Sequence, residues 1–111
     1  MKWIRITNVE NIPVRQGRAV HFGGRELAIF NLGGGFRAVE NRCPHRGGPL
    51  ADGIVAGEDV ICPLHNWRIS LDSGSVCQPK DRMECRKTYP AKVVNGEVLV
   101  LLPSVEQEAA A

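Results

Sequence analysis

Apolar residues along this chain fall into short runs, and Gly, Pro and Asn interrupt them every few positions. That texture belongs to strands and turns, so the pattern predicts an all-β domain with no long helix. A first strand begins at Trp3, Ile4 and Ile6 and ends before Asn11-Ile12-Pro13. Ala19–Phe22 and Glu26–Phe30 flank Gly23-Gly24, a pair suited to the positive φ values of a two-residue hairpin turn. Gly33-Gly34-Gly35 turns the chain again, into Phe36–Glu40. Gly53–Val55 and Asp59–Ile61 read as two short strands joined at Ala56-Gly57-Glu58. Trp67–Leu71 alternates as a strand and Asp72-Ser73-Gly74 turns it. Tyr89–Val94 and Glu97–Leu102 are predicted to pair across Asn95-Gly96, the strongest hairpin signal in the chain.

Composition narrows the class. A chain of 111 residues, 43% hydrophobic and 23% charged, suits one globular domain, expected over residues 1–105, with 106–111 as a flexible tail. A net charge of +2 is too small to argue for nucleic acid or membrane binding, and neither is expected as partner. With 5% aromatic residues there is no platform on which bases would stack. The first residues, Met1–Thr7, carry neither a signal-peptide apolar run nor a twin arginine, and no segment approaches membrane-span length. A soluble cytoplasmic protein is expected. Four cysteines in such a setting point to metal before disulfides.

The chemistry concentrates in two short stretches, Cys43-Pro44-His45 and Cys62-Pro63-Leu64-His65, with sixteen residues between His45 and Cys62. Ligands this close in sequence reach one small metal centre only where the backbone turns sharply. Pro44 and Pro63 fix φ there, while Gly47 and Gly48 permit conformations closed to other residues. The hairpin predicted between the two stretches explains their separation, because it carries the chain from one ligand loop to the other. Two thiols and two imidazoles also suit structural zinc, although Cys-x-His is tighter than the usual zinc spacing. Cys77 and Cys85 lie outside both loops and read as small or partly buried residues, not ligands. His21 sits in a strand pattern with no partner nearby and reads as structural.

The paired Cys-x-His and Cys-x-x-His motifs resemble the ligand set of the Rieske [2Fe–2S] family, and the resemblance covers about residues 3–102. It implies a Rieske-like antiparallel β fold, with small sheets forming a sandwich or barrel base. A two-loop cluster-binding subdomain would span about residues 42–72. It also implies one [2Fe–2S] cluster per chain, with Cys43 and Cys62 on one iron and His45 and His65 on the other. One electron would pass at the histidine edge. The respiratory members of the family tie their loops with a disulfide at positions matching Gly48 and Leu64, so that bridge cannot form here. They also place hydroxyl donors where this chain has Trp67 and Ile69. Fewer hydrogen bonds to sulfur stabilise the reduced state less, which implies a potential in the lower part of the Rieske range.

Within the family, the run Cys62–Ile69 and the downstream Glu84–Pro90 resemble the small subunit of NADH-dependent assimilatory nitrite reductase. In such enzymes a large subunit holds flavin, sirohaem and a [4Fe–4S] cluster and reduces nitrite to ammonia. This chain would then supply electron transfer, with no complete active site of its own. The competing resemblance is to a free ferredoxin that serves a ring-hydroxylating dioxygenase. Those proteins more often have Trp before the second His and Gly after it. A zinc-stabilised binding module is the third reading. Candidate docking contacts are His45, His65, Arg46, Pro49, Trp67 and Arg68. Arg42, Arg46, Arg68, Lys80, Arg82, Arg86 and Lys87 form either a basic docking rim or ordinary solvated surface. Trp67 would shield the cluster, pack in the core, or do both.

Overall fold

The structure is a computed structural model, described here over residues 1–42, 48–64, 66–79 and 86–103. Eleven strands follow one another: β1 (Lys2–Asn8), β2 (Gly17–Phe22), β3 (Arg25–Asn31), β4 (Phe36–Glu40), β5 (Ile54–Ala56), β6 (Asp59–Ile61), β7 (Arg68–Ser70), β8 (Val76–Gln78), β9 (Thr88–Tyr89), β10 (Ala91–Val94) and β11 (Glu97–Leu102). They form three antiparallel sheets. Sheet I has the order β1-β11-β10, sheet II β2-β3-β4-β9, and sheet III β5-β6-β7-β8. This is the all-β antiparallel architecture expected from the pattern of short apolar runs.

The tight turns form where their residues require them. Gly23 and Gly24 have φ of 57° and 80°, and Asn95 and Gly96 have φ of 52° and 78°. Positive φ at both central positions is the type I′ geometry that matches strand twist. The β5–β6 hairpin turns at Gly57, with φ of 63°, and carries the chain from the Leu50–Asp52 turn to Cys62.

One predicted strand is corrected. Tyr89–Val94 does not run as a single strand but divides at Pro90: Thr88 and Tyr89 pair with β4, whereas Ala91–Val94 pair with β11. Proline has no N–H to continue a ladder, and its carbonyl instead accepts the Leu101 N–H at 2.9 Å. The chain therefore crosses from sheet II to sheet I within one residue. Two 3₁₀ turns, Val9–Asn11 and Leu50–Asp52, were not expected, nor was β8. Val76-Cys77-Gln78 has no alternation of its own. It pairs with β7 through an irregularity between Arg68 and Ile69.

Sheet II is the middle layer. Leu27, Ala28, Ile29 and Phe30 are all buried, the signature of a strand covered on both faces. Leu27 and Ile29 pack with Ile12, Tyr89, Val98 and Val100 towards sheet I. Ala28 and Phe30 pack with Leu50, Val55, Val60, Cys62, Trp67 and Ile69 towards sheet III. Polar ties reinforce the second contact: Arg37 pairs with Glu58 at 3.1 Å, and Arg15 donates to the Val55 carbonyl at 3.4 Å.

Candidate metal centre

Strand β6 delivers Cys62 directly after Ile61, and the chain folds back at once into β7. The Cys62 N–H donates to the Trp67 carbonyl at 2.7 Å, while its own carbonyl accepts the Asn66 N–H at 3.1 Å. Asn66 has φ of 59°, the left-handed conformation that Asn tolerates better than most residues. The resulting turn buries Cys62 at 1% exposure, beside Leu50 and Trp67.

The end of the first ligand loop reaches this same point. Gly48 is buried, and a Cβ placed on it would lie 2.7 Å from Leu64 Cδ1 and 3.3 Å from Cys62 Sγ. Hydrogen is therefore the only side chain that fits without displacing a neighbour. The contact brings the two loops together with a cysteine sulfur at their junction. It also joins the two positions, Gly48 and Leu64, that a disulfide would otherwise link. A sulfur in a dry cradle between two loops fits a thiolate-held iron–sulfur cluster. Of the other expected ligands, Cys43, His45 and His65 lie outside the described residues, as do Arg46, Lys80, Arg82, Cys85 and the 106–111 tail.

Several expectations about neighbouring residues change. Trp67 is no docking contact: it is 7% exposed and shares the inner face of sheet III with Ile69 and Leu71. The alternation of the strand places Arg68 on the other face, where it pairs with Asp59 at 2.7 Å and donates to the Ala56 carbonyl at 3.3 Å. Pro49, Pro63 and Leu64 are exposed around the cradle. Cys77, expected to be small or partly buried, is exposed on β8, with its thiol 3.9 Å from Asp59 Oδ1. Partial desolvation, then the Asp59 charge, raises its pKa above the ordinary thiol value, against a smaller opposing effect of Arg68.

His21 is exposed on β2, opposite Glu26. Arg42 and Lys87 are exposed and Arg86 is half-buried. The Lys87 ammonium lies 5.7 Å from the centre of the Tyr89 ring. Asn41 had drawn no attention in the sequence, yet it is the buried polar residue among the described residues, two positions before Cys43. Among the described residues, which include only Cys62 of the four expected ligands, no group of three or more His, Cys, Asp or Glu gathers to hold a metal.

Comparison with known proteins agrees with this geometry. The Rieske [2Fe-2S] domain profile matches residues 2–90. The ferredoxin component of the naphthalene 1,2-dioxygenase/salicylate 5-hydroxylase systems of Ralstonia sp is 31% identical over 99 residues, covering 88% of this chain and 93% of that protein. A structure named as an NADH-dependent nitrite reductase small subunit from Mycobacterium tuberculosis superposes with a TM-score of 0.83 at 27% identity, covering 93% of this chain and 96% of that one. The ferredoxin of Sphingomonas yanoikuyae B1 superposes with a TM-score of 0.80 at 25% identity, covering 92% and 100%.

Proposed function

The chain belongs to the Rieske [2Fe–2S] domain family, and from that premise we propose that it is the electron-transfer small subunit of an NAD(P)H-dependent nitrite reductase. Its cofactor is a Rieske-type [2Fe–2S] cluster, which sets the zinc reading aside. When bound, that cluster supplies a one-electron couple. In this reading Cys43 and Cys62 hold one iron and His45 and His65 the other. Gly48 and Leu64 hold the two loops against each other by packing. Trp67, Leu50 and Ile69 exclude water from beneath Cys62. The partner is a larger flavin- and sirohaem-containing subunit in the cytoplasm, where nitrite is reduced to ammonia. Among the described residues no helix is long and apolar enough to cross a membrane.

The observation that carries the reading is the turn after Cys62. Oxygenase ferredoxins more often place Gly after the second His. Here the left-handed position is Asn66, and Trp67 follows it into the core. The likeness to the Mycobacterium tuberculosis structure supports the same assignment. A second reading, a ferredoxin that delivers electrons to a ring-hydroxylating dioxygenase, is supported by the 31% identity to the Ralstonia ferredoxin.

Copurification from nitrate-grown cells separates the two. The first reading expects a sirohaem protein, and the reconstituted complex should form ammonia from nitrite and NADH. A folded His65→Ala chain should bind the large subunit but fail to support that activity. Recovery of an oxygenase, with no sirohaem protein, would make the second reading correct. Full ammonia formation with the His65→Ala chain would remove electron transfer from the subunit's role.

A further inference from the structure

We propose that Asn41 is the positioning residue of the first ligand loop, fastening the chain before Cys43 to the chain after the loop. The inference rests on reading Cys43 and His45 as ligands, and it assigns a task to a residue outside that set. Asn41 is 3% exposed. Its Oδ1 accepts the buried Ala51 N–H at 2.7 Å, and its Nδ2 donates to Glu26 Oε2 at 2.6 Å. Its backbone N–H also donates to the Glu26 carbonyl at 3.0 Å. Strand β3 thus holds Asn41 twice, and Asn41 holds Ala51.

The bond to Ala51 falls where the backbone needs it. Within the 3₁₀ turn Leu50–Asp52, Asp52 donates to Pro49 and Gly53 donates to Leu50, at 3.1 and 2.9 Å. The Ala51 N–H belongs to the first turn, whose donors have no partner inside the helix, so a side chain must supply one. That side chain comes from the other end of the same loop. Positions 41 and 51 are therefore tied to each other by one hydrogen bond across the segment between them. Gly48, which packs on Leu64 and Cys62, lies within this segment. A shift between Asn41 and Ala51 is carried straight to the junction of the two loops.

The chemistry selects an amide. The residue must accept from Ala51 and donate to the Glu26 carboxylate, and the Asn amide does both from two separate atoms. Aspartate would keep the first bond and set two carboxylates against each other at the second. Exchanging the two groups, with an acid at 41 and an amide at 26, restores a donor facing an acceptor.

That exchange is the test. The full chain is prepared as parent, Asn41→Asp, Glu26→Gln, and the double variant Asn41→Asp/Glu26→Gln. Cluster content is read from iron, sulfide and the EPR signal, and cluster loss is timed against a chelator. Hydrogen exchange is followed at Ala51 and, as a control on global folding, at Val98 and Val100 in β11. Asn41→Asp should speed cluster loss by about tenfold or more, the usual effect of losing a residue that orients a ligand. Exchange at Ala51 should accelerate while exchange in β11 stays unchanged. The double variant should return cluster loss and Ala51 protection close to the parent's. A merely space-filling Asn41 would not be rescued by a change at Glu26. Parent-like cluster retention in Asn41→Asp, or a double variant no better than the single, overturns the proposal. A parent that binds no cluster overturns the ligand reading and the positioning role together, so the two failures are distinguishable.

Discussion

Gly53→Ala should destabilise this protein, although the backbone there suits alanine. Gly53 has φ of −78° and ψ of 176°, extended values open to any residue. By conformation alone the substitution would stabilise by about 0.4–1 kcal/mol, through a stiffer unfolded chain. What forbids it is space. A Cβ at 53 would overlap the Ile61 carbonyl oxygen and lie 2.8 Å from Val60 Cγ2 and 3.1 Å from the Leu50 carbonyl. Two of these neighbours are backbone, and the Leu50 carbonyl already accepts the Gly53 N–H at 2.9 Å. Relief must come from moving the β5–β6 pair apart. Overpacking of this kind costs about 1–3 kcal/mol; with two backbone neighbours in the way the cost lies at about 2–3 kcal/mol, which leaves a net loss of about 1–2.6 kcal/mol after the entropic gain. In a domain of this size each kcal/mol lowers Tm by about 4–8 °C. Ile61 immediately precedes Cys62, so cluster loss to a chelator should quicken as well. Gly34→Ala is the matched control: no atom lies within 4 Å of a Cβ there and its φ is not positive. It should be neutral or raise Tm. Scanning calorimetry of the two variants decides the matter, and a Gly53→Ala protein that melts at or above the parent would refute the steric argument.

The remaining expectations concern sulfur and potential. Cys62→Ser should abolish the Rieske EPR signal, whereas Cys77→Ser should leave it intact; loss in the second variant would mean a misassigned ligand. The raised pKa of Cys77 leaves less thiolate at a given pH, so iodoacetamide should label it more slowly than a free peptide thiol near about pH 8. Asp59→Asn should speed the labelling, by removing a neighbouring negative charge and releasing Arg68; an unchanged rate would refute that electrostatic account. The midpoint potential should lie at about −150 to 0 mV, and a value above about +150 mV would defeat the argument from Trp67 and Ile69. Gly48→Ala should lower Tm less than Gly53→Ala, because the atoms it meets first belong to the movable, 55% exposed Leu64 side chain.

Local chemistry was legible in the sequence wherever one or two residues decide the outcome. Gly23-Gly24 and Asn95-Gly96 demand positive φ at both central positions, and the hairpins form there. What a strand pairs with beyond its own hairpin is a tertiary matter, and there the reading fell short. Nothing in Tyr89-Pro90-Ala91 says that the chain changes sheets, although Pro90 marks where a ladder must stop. Strand β8 exists because β7 offers it an edge, not because Val76-Cys77-Gln78 favours extension. Of the places considered for Trp67, the core holds and the docking surface does not. Its alternation with Ile69 and Leu71 was visible, and carried through it would have put all three on the inner face. Asn41 was illegible, since nothing in Asn41-Arg42-Cys43 says which groups its side chain meets. Its partners, Ala51 and Glu26, lie ten and fifteen positions away in opposite directions along the chain.

The middle strand explains how the region around Cys62 is held in place. The inner face of sheet III has no core of its own: Val55, Val60, Cys62, Trp67 and Ile69 become buried only because Ala28, Phe30 and Val39 complete the cluster. The cluster-binding region is thus a unit of topology whose folding depends on sheet II. Sheet II in turn packs its other face, through Leu27, Ile29 and Ala38, on Val98, Val100 and Leu102 of β11. Gly17 tightens the arrangement, since a Cβ there would lie 2.5 Å from the Phe30 ring and 3.0 Å from the Ala51 carbonyl. The same Ala51 donates its N–H to Asn41. Packing from β3 and hydrogen bonding from the end of the first loop therefore meet at one residue. The loop is constrained there by elements whose positions are set on both faces. A site mounted on rigid elements keeps its geometry better than one carried on loops alone. Here the doubly buried strand β3 sets the position of Ala51 and of the packing beneath Cys62.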